Sequence, residues 1–137
     1  MTNDEAGKLL DKITAAWNAN EPDAFDKFWS TDFADHGTRG DFGLEALRRM
    51  HSSARKSFSD LRVTTQVIFA AGDMVAFRYT FTGTHDGVYR GKSPTGKHFE
   101  ASGLNVMRIK GGKINDEWAA FDELDRLEQP GIVPVTA

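Results

Sequence analysis

From Glu5 to Ala19 the apolar residues Ala6, Leu9, Leu10, Ile13, Ala16 and Trp17 recur every three or four positions, the repeat of an amphipathic helix. Thr2 and Glu5 stand ahead of it at the spacing of a capping box. Asn20-Glu-Pro-Asp23 closes that helix and opens a second, short one, with Asn20 as cap, Pro22 in the first turn and Phe25, Phe28 and Trp29 on the apolar side. Thr31 to Gly37 reads as a short extended segment carrying Phe33 and His36, followed by a polar, glycine-rich loop to Gly43. A third helix is predicted from about Leu44 to Phe58. Its stripe is Leu44, Leu47, Ala54 and Phe58, and His51 falls in the middle of it. Such a histidine faces whatever the helix covers, either as a core residue satisfied by one hydrogen bond or as part of a site.

Beyond Ser59-Asp60 the period drops to two. Leu61, Val63, Thr65, Val67 and Phe69 alternate with polar residues, and Ala71-Gly72-Asp73 turns the chain into a second strand, Met74 to His85. That strand puts Val75, Phe77, Tyr79 and Phe81 on one face and Arg78, Thr80 and Thr82 on the other. A third strand, Lys97 to Lys110, turns at Gly111-Gly112 into a fourth, Lys113 to Leu124. Helices first and strands after them indicate an α+β fold: a curved antiparallel sheet whose concave face is covered by three N-terminal helices. One domain over residues 1–137 is expected, with a loose tail from Pro130 to Ala137.

Composition narrows the function classes. A formal net charge of -3 leaves no electrostatic footprint for nucleic acid, so none is expected as a partner. The absence of cysteine excludes disulfides, thiolate metal sites and a cysteine nucleophile. The acidic start Met-Thr-Asn-Asp-Glu and the lack of a long apolar run predict no membrane segment and a cytoplasmic location.

Gly91-Lys-Ser-Pro-Thr-Gly96-Lys97 has the spacing of a phosphate-binding loop, but His98 replaces the hydroxyl residue and the following Phe99-Glu-Ala-Ser-Gly-Leu-Asn-Val is β-patterned, so no helix opens there. Nucleotide hydrolysis is rejected on that ground. His36, His51, His85 and His98 lack metal-ligand spacing, and His85 and His98 are expected at the turn, facing solvent. No metal site is predicted.

The last strand is the informative one. Strict alternation puts Ile114, Asp116, Trp118, Ala120 and Asp122 on one face, so a concave placement would set the Asp122 carboxyl in a partly apolar cavity and fit it for proton transfer. The alternative is a structural Asp122 at the strand end, paired with Arg126 or an arginine such as Arg78. On the preceding strand Asn105 shares parity with Phe99, Ala101, Gly103, Met107 and Ile109 and points toward the same cavity. Arg108 has the other parity; a bulge that reversed it would offer Arg108 to an anionic intermediate. Trp17, Trp29 and Trp118 either line the pocket or fill the core.

Gly83-Thr-His-Asp-Gly-Val-Tyr-Arg-Gly-Lys-Ser-Pro-Thr-Gly-Lys97, Phe58-Ser-Asp-Leu61 and Gly112-Lys-Ile-Asn-Asp-Glu-Trp118 with Asp122 four residues on resemble the SnoaL-like polyketide (ester) cyclases of the NTF2-like superfamily, from roughly Leu9 to Gly131. The resemblance implies a cone-shaped α+β fold, a pocket without cofactor or metal, a small hydrophobic substrate, and commonly a homodimer joined through the sheets. It further implies that Asp122 is the acid/base of an intramolecular aldol ring closure, assisted by His36. Arg108 stands where the cyclases carry a histidine, and Gln129-Pro-Gly131 lacks the usual leucine.

The function expected is therefore acid/base catalysis on a hydrophobic carbonyl compound. Asp122, His36 and Arg108 are the catalytic candidates; Trp118, Asn105, His51, Trp29, Phe33 and Arg78 are the candidates to line the substrate. A hydrolase, dehydratase or isomerase could use the same pocket, and a binding protein without chemistry or an interaction module with a filled cone remain as alternatives.

Overall fold

A computed structural model describes residues 1–135. Helix α1 (Asn3–Asn18) begins as its capping spacing predicts, with the Thr2 hydroxyl accepting from the Glu5 amide at 3.1 Å, and buries Ala6, Leu10, Ile13 and Ala16. It lies along one edge of the sheet, where the Asn18 amide exchanges two 2.8 Å hydrogen bonds with the backbone of Val63. No basic residue stands in its last turn. Helix α2 (Leu44–Ser57) satisfies that end instead: His51 Nε2 and Arg55 each donate to the Trp17 carbonyl at 3.0 Å, and Arg55 reaches the Asn18 carbonyl at 2.6 Å.

The expected second helix is a 3-10 helix, Pro22–Lys27, too short to settle into α geometry. The extended segment after it is longer than its pattern suggests. It forms β1 (Trp29–Gly37), which turns back as the short β2 (Gly40–Phe42). Strands β3 (Arg62–Ala71), β4 (Met74–Thr84), β5 (His98–Lys110) and β6 (Lys113–Phe121) make the predicted meander. The sheet runs β2-β1-β6-β5-β4-β3, with β1 parallel to β6 and every other pair antiparallel. The four-stranded antiparallel expectation is thus corrected to an open, curved, six-stranded mixed sheet. Parallel pairing joins strands far apart in sequence through no tight turn, so local patterning has nothing to announce it.

Val75, Phe77, Tyr79 and Phe81 of β4 and Phe99, Ala101, Met107 and Ile109 of β5 are buried on the inner face, as their alternation predicts. They pack with Phe25, Trp29, Phe33, Leu44, Leu47, Phe58 and Leu61 into one apolar cluster. The loop between β4 and β5 is folded onto the end of α2, where the Asp86 and Gly87 amides both donate to the Ser57 carbonyl. A Cβ at Gly87 would lie 1.8 Å from the Lys56 carbonyl oxygen, so the approach requires glycine. His85, expected to face solvent, is instead completely buried under this loop, and its Nδ1 accepts from the Thr95 amide at 3.2 Å.

Strand β6 ends at Phe121, three residues short of expectation. Asp122 caps helix α3 (Glu123–Glu128), accepting from the Asp125 amide at 3.0 Å. Asp, Glu, Leu, Asp at 122–125 is a helix-start pattern, and it overrides the strand alternation. The loose tail is also corrected in part: Pro130 is fully buried and Ile132 joins the core, next to Gln129, which is bonded to both backbone groups of Glu100 at 2.7 and 2.9 Å just ahead of the tail. The tail's last two residues, 136 and 137, lie outside the described residues. Among those described, no helix is long and apolar enough to cross a membrane.

Candidate functional site

The site is decided by one irregularity in β6. Ile109 faces Ile114, but Arg108 faces Asp116, so Asn115 is an extra residue with no partner of its own. Past that bulge the alternation inverts. Ile114 and Glu117 are buried on the inner face, whereas Asp116 and Trp118 turn outward. The expected row Ile114, Asp116, Trp118, Ala120, Asp122 is therefore split between the two sides of the sheet.

Glu117 lies directly across the parallel β1–β6 pair from Asp35, so the two carboxyl side chains share one face; they are 7% and 8% exposed. Asn105 faces inward as predicted, and its Nδ2 donates to Glu117 Oε1 at 2.7 Å. Tyr79 is positioned by an absence: a Cβ on the facing Gly103 would stand 2.5 Å from its ring and hydroxyl. Phe77, Phe33 and Met107 supply apolar walls. Ala119 and Phe121, on the same face as Glu117, are exposed, so the inner face opens to solvent at that end.

Burial dominates the electrostatics here. It pushes the Glu117 carboxyl up to about 7, with the Asp35 charge adding to the shift and the Asn105 hydrogen bond opposing it. Burial also raises Asp35, against the opposing pull of His36 and with help from Asp41. The Tyr79 phenol is held well above its ordinary range by burial and by both carboxylates, and so keeps its proton.

Three predicted residues, His36, Arg108 and Trp118, do come together, but on the outer face and around Asp116. The bulge that reversed an alternation lies in β6, not β5, and leaves Arg108 pointing outward. His36 Nε2 lies 2.8 Å from Asp116 and Nδ1 lies 3.0 Å from Asp41, while Arg108 reaches Asp116 at 3.2 Å and Asp73 at 3.7 Å. The imidazole stacks on Trp118 at 4.9 Å between ring centroids, with the Arg108 guanidinium 5.6 Å from the same indole. The hydrogen bond to Asp116, then that to Asp41, raises the His36 pKa; the same bond from His36 lowers that of Asp116.

Asp122 is exposed, and with Arg78, Leu104, Ala120 and Phe121 it lines a shallow groove to which neither Glu117 nor Asp35 contributes. Arg78 bonds to Gln66 there. The expected desolvation of Asp122 beside Trp118 is thus not realised. His51 is buried between Trp17 and Phe25, and burial lowers its pKa. Trp29 packs on Phe25, and both it and Phe33 are core. Among the described residues no cluster of three or more ligating side chains converges on a metal position.

Glu117, Asp35 and Tyr79 were missed as site residues. One signal for the first was present: Asn115, Asp116 and Glu117 are three polar residues in a row between Ile114 and Trp118, which strict alternation cannot accommodate and a bulge can.

The family model for SnoaL-like polyketide cyclases matches residues 8–130. The chain belongs to that family. The search of curated proteins found no match. Among solved structures the chain is similar to AclR from Streptomyces galilaeus, a candidate hydroxylase, at 26% identity and a TM-score of 0.88, over 99% of this chain and 87% of that one. It is similar to IdmH from Streptomyces antibioticus, a candidate polyketide cyclase, at 25% identity and a TM-score of 0.82, over 91% and 97%. A candidate polyketide cyclase from Acidithiobacillus ferrooxidans matches at 26% identity and a TM-score of 0.75, over 86% and 88%. These SnoaL-like structures share the α+β architecture seen here, a curved sheet with helices on its inner side.

Proposed function

We propose that this SnoaL-like protein catalyses proton transfer on a small hydrophobic carbonyl compound, in the manner of an intramolecular aldol ring closure, and that Glu117 rather than Asp122 is the acid/base. The observation that carries the proposal is the buried Glu117–Asp35 pair, in which burial pushes the glutamate up to about 7, beside an inner face whose Ala119 and Phe121 are exposed. Ionised Glu117 takes the proton from the carbon beside a carbonyl; the resulting carbanion carbon attacks a second carbonyl of the same molecule, closing the ring. The proton on Glu117 then goes to the new alkoxide. No electrons are exchanged with an outside reagent. In this reading the Tyr79 hydroxyl, which keeps its proton, donates to the intermediate oxygen, and the surrounding phenylalanines exclude water.

The test is turnover of a panel of linear and partly cyclised aromatic polyketones by the purified protein. Glu117→Gln is expected to lower kcat by roughly 100-fold or more, the usual contribution of a positioned general base, and Asp122→Asn to leave it within a factor of about two. Full activity in Glu117→Gln, or its loss in Asp122→Asn, refutes the assignment. The likeness to AclR supports a second reading, hydroxylation, for which dioxygen consumption during turnover is the distinguishing measurement.

We further propose that two copies pair through the outer face. Phe69, Ala76, Val106 and Trp118 form a row across four strands, flanked by exposed Val67 and Leu104 and by charges of both signs, Arg78 and Asp122. A face that is apolar at its centre and mixed in charge at its rim suits a second copy of itself. Sedimentation at micromolar concentration should give a dimer, and Leu104→Glu a monomer.

A further inference from the structure

The amide of Asn105 is half used. Its Nδ2 is committed to Glu117, while its Oδ1 is buried and accepts no hydrogen bond within the protein. Buried acceptors are rarely left so, because the lost hydration is not returned. The side chain lies between Phe77 and Ala119 in the sheet, and Ala119 is exposed, so Asn105 borders the open end of the inner face. The amide is also not free to turn over. Rotating it would bring Oδ1 to 2.7 Å from a glutamate oxygen, a repulsive contact whenever Glu117 is ionised. The form of Glu117 that acts as base therefore holds the neighbouring group as an acceptor.

We infer that Asn105 is a specificity residue that selects ligands carrying a hydroxyl or N–H donor, an alcohol, phenol or enol, next to the group on which Glu117 acts. This rests on the inner-face site proposed above and adds a substrate class to it: a hydroxylated aromatic carbonyl compound, in preference to its O-alkylated counterpart. An ether or ketone oxygen at the same place would confront Oδ1 acceptor to acceptor. A site built to hydrogen-bond a hydroxyl discriminates by leaving its own buried group unpaired with the wrong ligand.

The selection is read without turnover, by titrating the full-length protein with naphthylmethanol and with its methyl ether. Above pH 8, where Glu117 is ionised, the alcohol is expected to bind roughly tenfold more tightly, the equivalent of one buried hydrogen bond. Below pH 5.5 the preference should shrink, since a protonated Glu117 tolerates either orientation of the amide. Asn105→Leu, similar in volume and lacking the acceptor, should bind the two probes equally. Because that variant could fail to fold, the wild-type comparison stands alone: equal binding of the two probes at high pH overturns the inference, as does a preference that survives in folded Asn105→Leu. Failure here leaves the acid/base assignment of Glu117 standing, and loss of that assignment leaves the probe ratio unchanged, so the two are separable.

Discussion

Asp116 and Glu117 are adjacent on one strand and carry the same functional group, yet their environments push them in opposite directions. Glu117 turns inward, has one hydrogen bond from Asn105 and a second carboxyl across from it, and holds its proton up to about pH 7. Asp116 turns outward, receives His36 and Arg108, and its pKa is lowered. The pleat alone separates them. Its lesson is that the chemistry of a carboxylate in a sheet is set by which face it takes: desolvation wins on the inner face and charge pairing on the outer one.

The largest effect that could break this comparison is on stability. The Glu117 pKa lies above the ordinary 4.5, so the folded chain retains a proton that the unfolded chain releases, and stability falls as pH rises from 4.5 to about 7. At about 1.4 kcal/mol for each tenfold change in proton affinity, the ionised glutamate costs about 3 kcal/mol above that window. Glu117→Gln should therefore be more stable than the parent at pH 8 while losing turnover, and denaturant titrations at pH 5 and 8 should differ less for the variant. A variant less stable at both values would sink the desolvation account.

Next in size is Gly103→Ala. The added Cβ would meet the Tyr79 ring at 2.5 Å and Phe121 Cβ at 2.8 Å, and overpacking of this kind costs about 1–3 kcal/mol. Chemical denaturation measures the loss, and displacement of Tyr79 should carry activity down with it. A smaller effect separates Asp122 from Glu117. Asp122→Ala removes the α3 cap and should cost about 1 kcal/mol, whereas Asn caps as well as Asp and Asp122→Asn should cost a few tenths.

On the outer face the effect is one of titration. His36 has a raised pKa, so its contribution to stability is fully present below pH 6.5 and is lost as pH rises through the higher folded value. Asp116→Asn should lower the His36 midpoint followed by imidazole NMR, because it removes the largest cause of the shift. An unchanged midpoint would mean that Asp41 and Trp118 alone hold the ring.

Much of the frame was legible because it is written at short range. The stripe of α1, the Thr2 cap, the turn at Gly72 and the alternation of β4 and β5 follow from neighbours within a few residues, and each stands in the structure where the pattern puts it. The placement of Asn105 on the inner face was read in the same way. Arg108 took the outer face that its parity gave, but Trp118 turned out beside it and His36 rather than inward, because a count by twos through Asn115 assumes that every residue has a partner.

The sequence by itself determined the α+β order of elements, the apolar face of the central strands and the family to which the chain belongs. Tertiary structure decided which carboxyl is enclosed. The parallel pairing of β1 with β6, which sets Asp35 beside Glu117, joins residues 82 positions apart, and the bulge that turns Glu117 inward is a property of two strands in register rather than of one. Periodicity reports the faces of a single element; a site assembled between elements depends on their register, and no local pattern contains that.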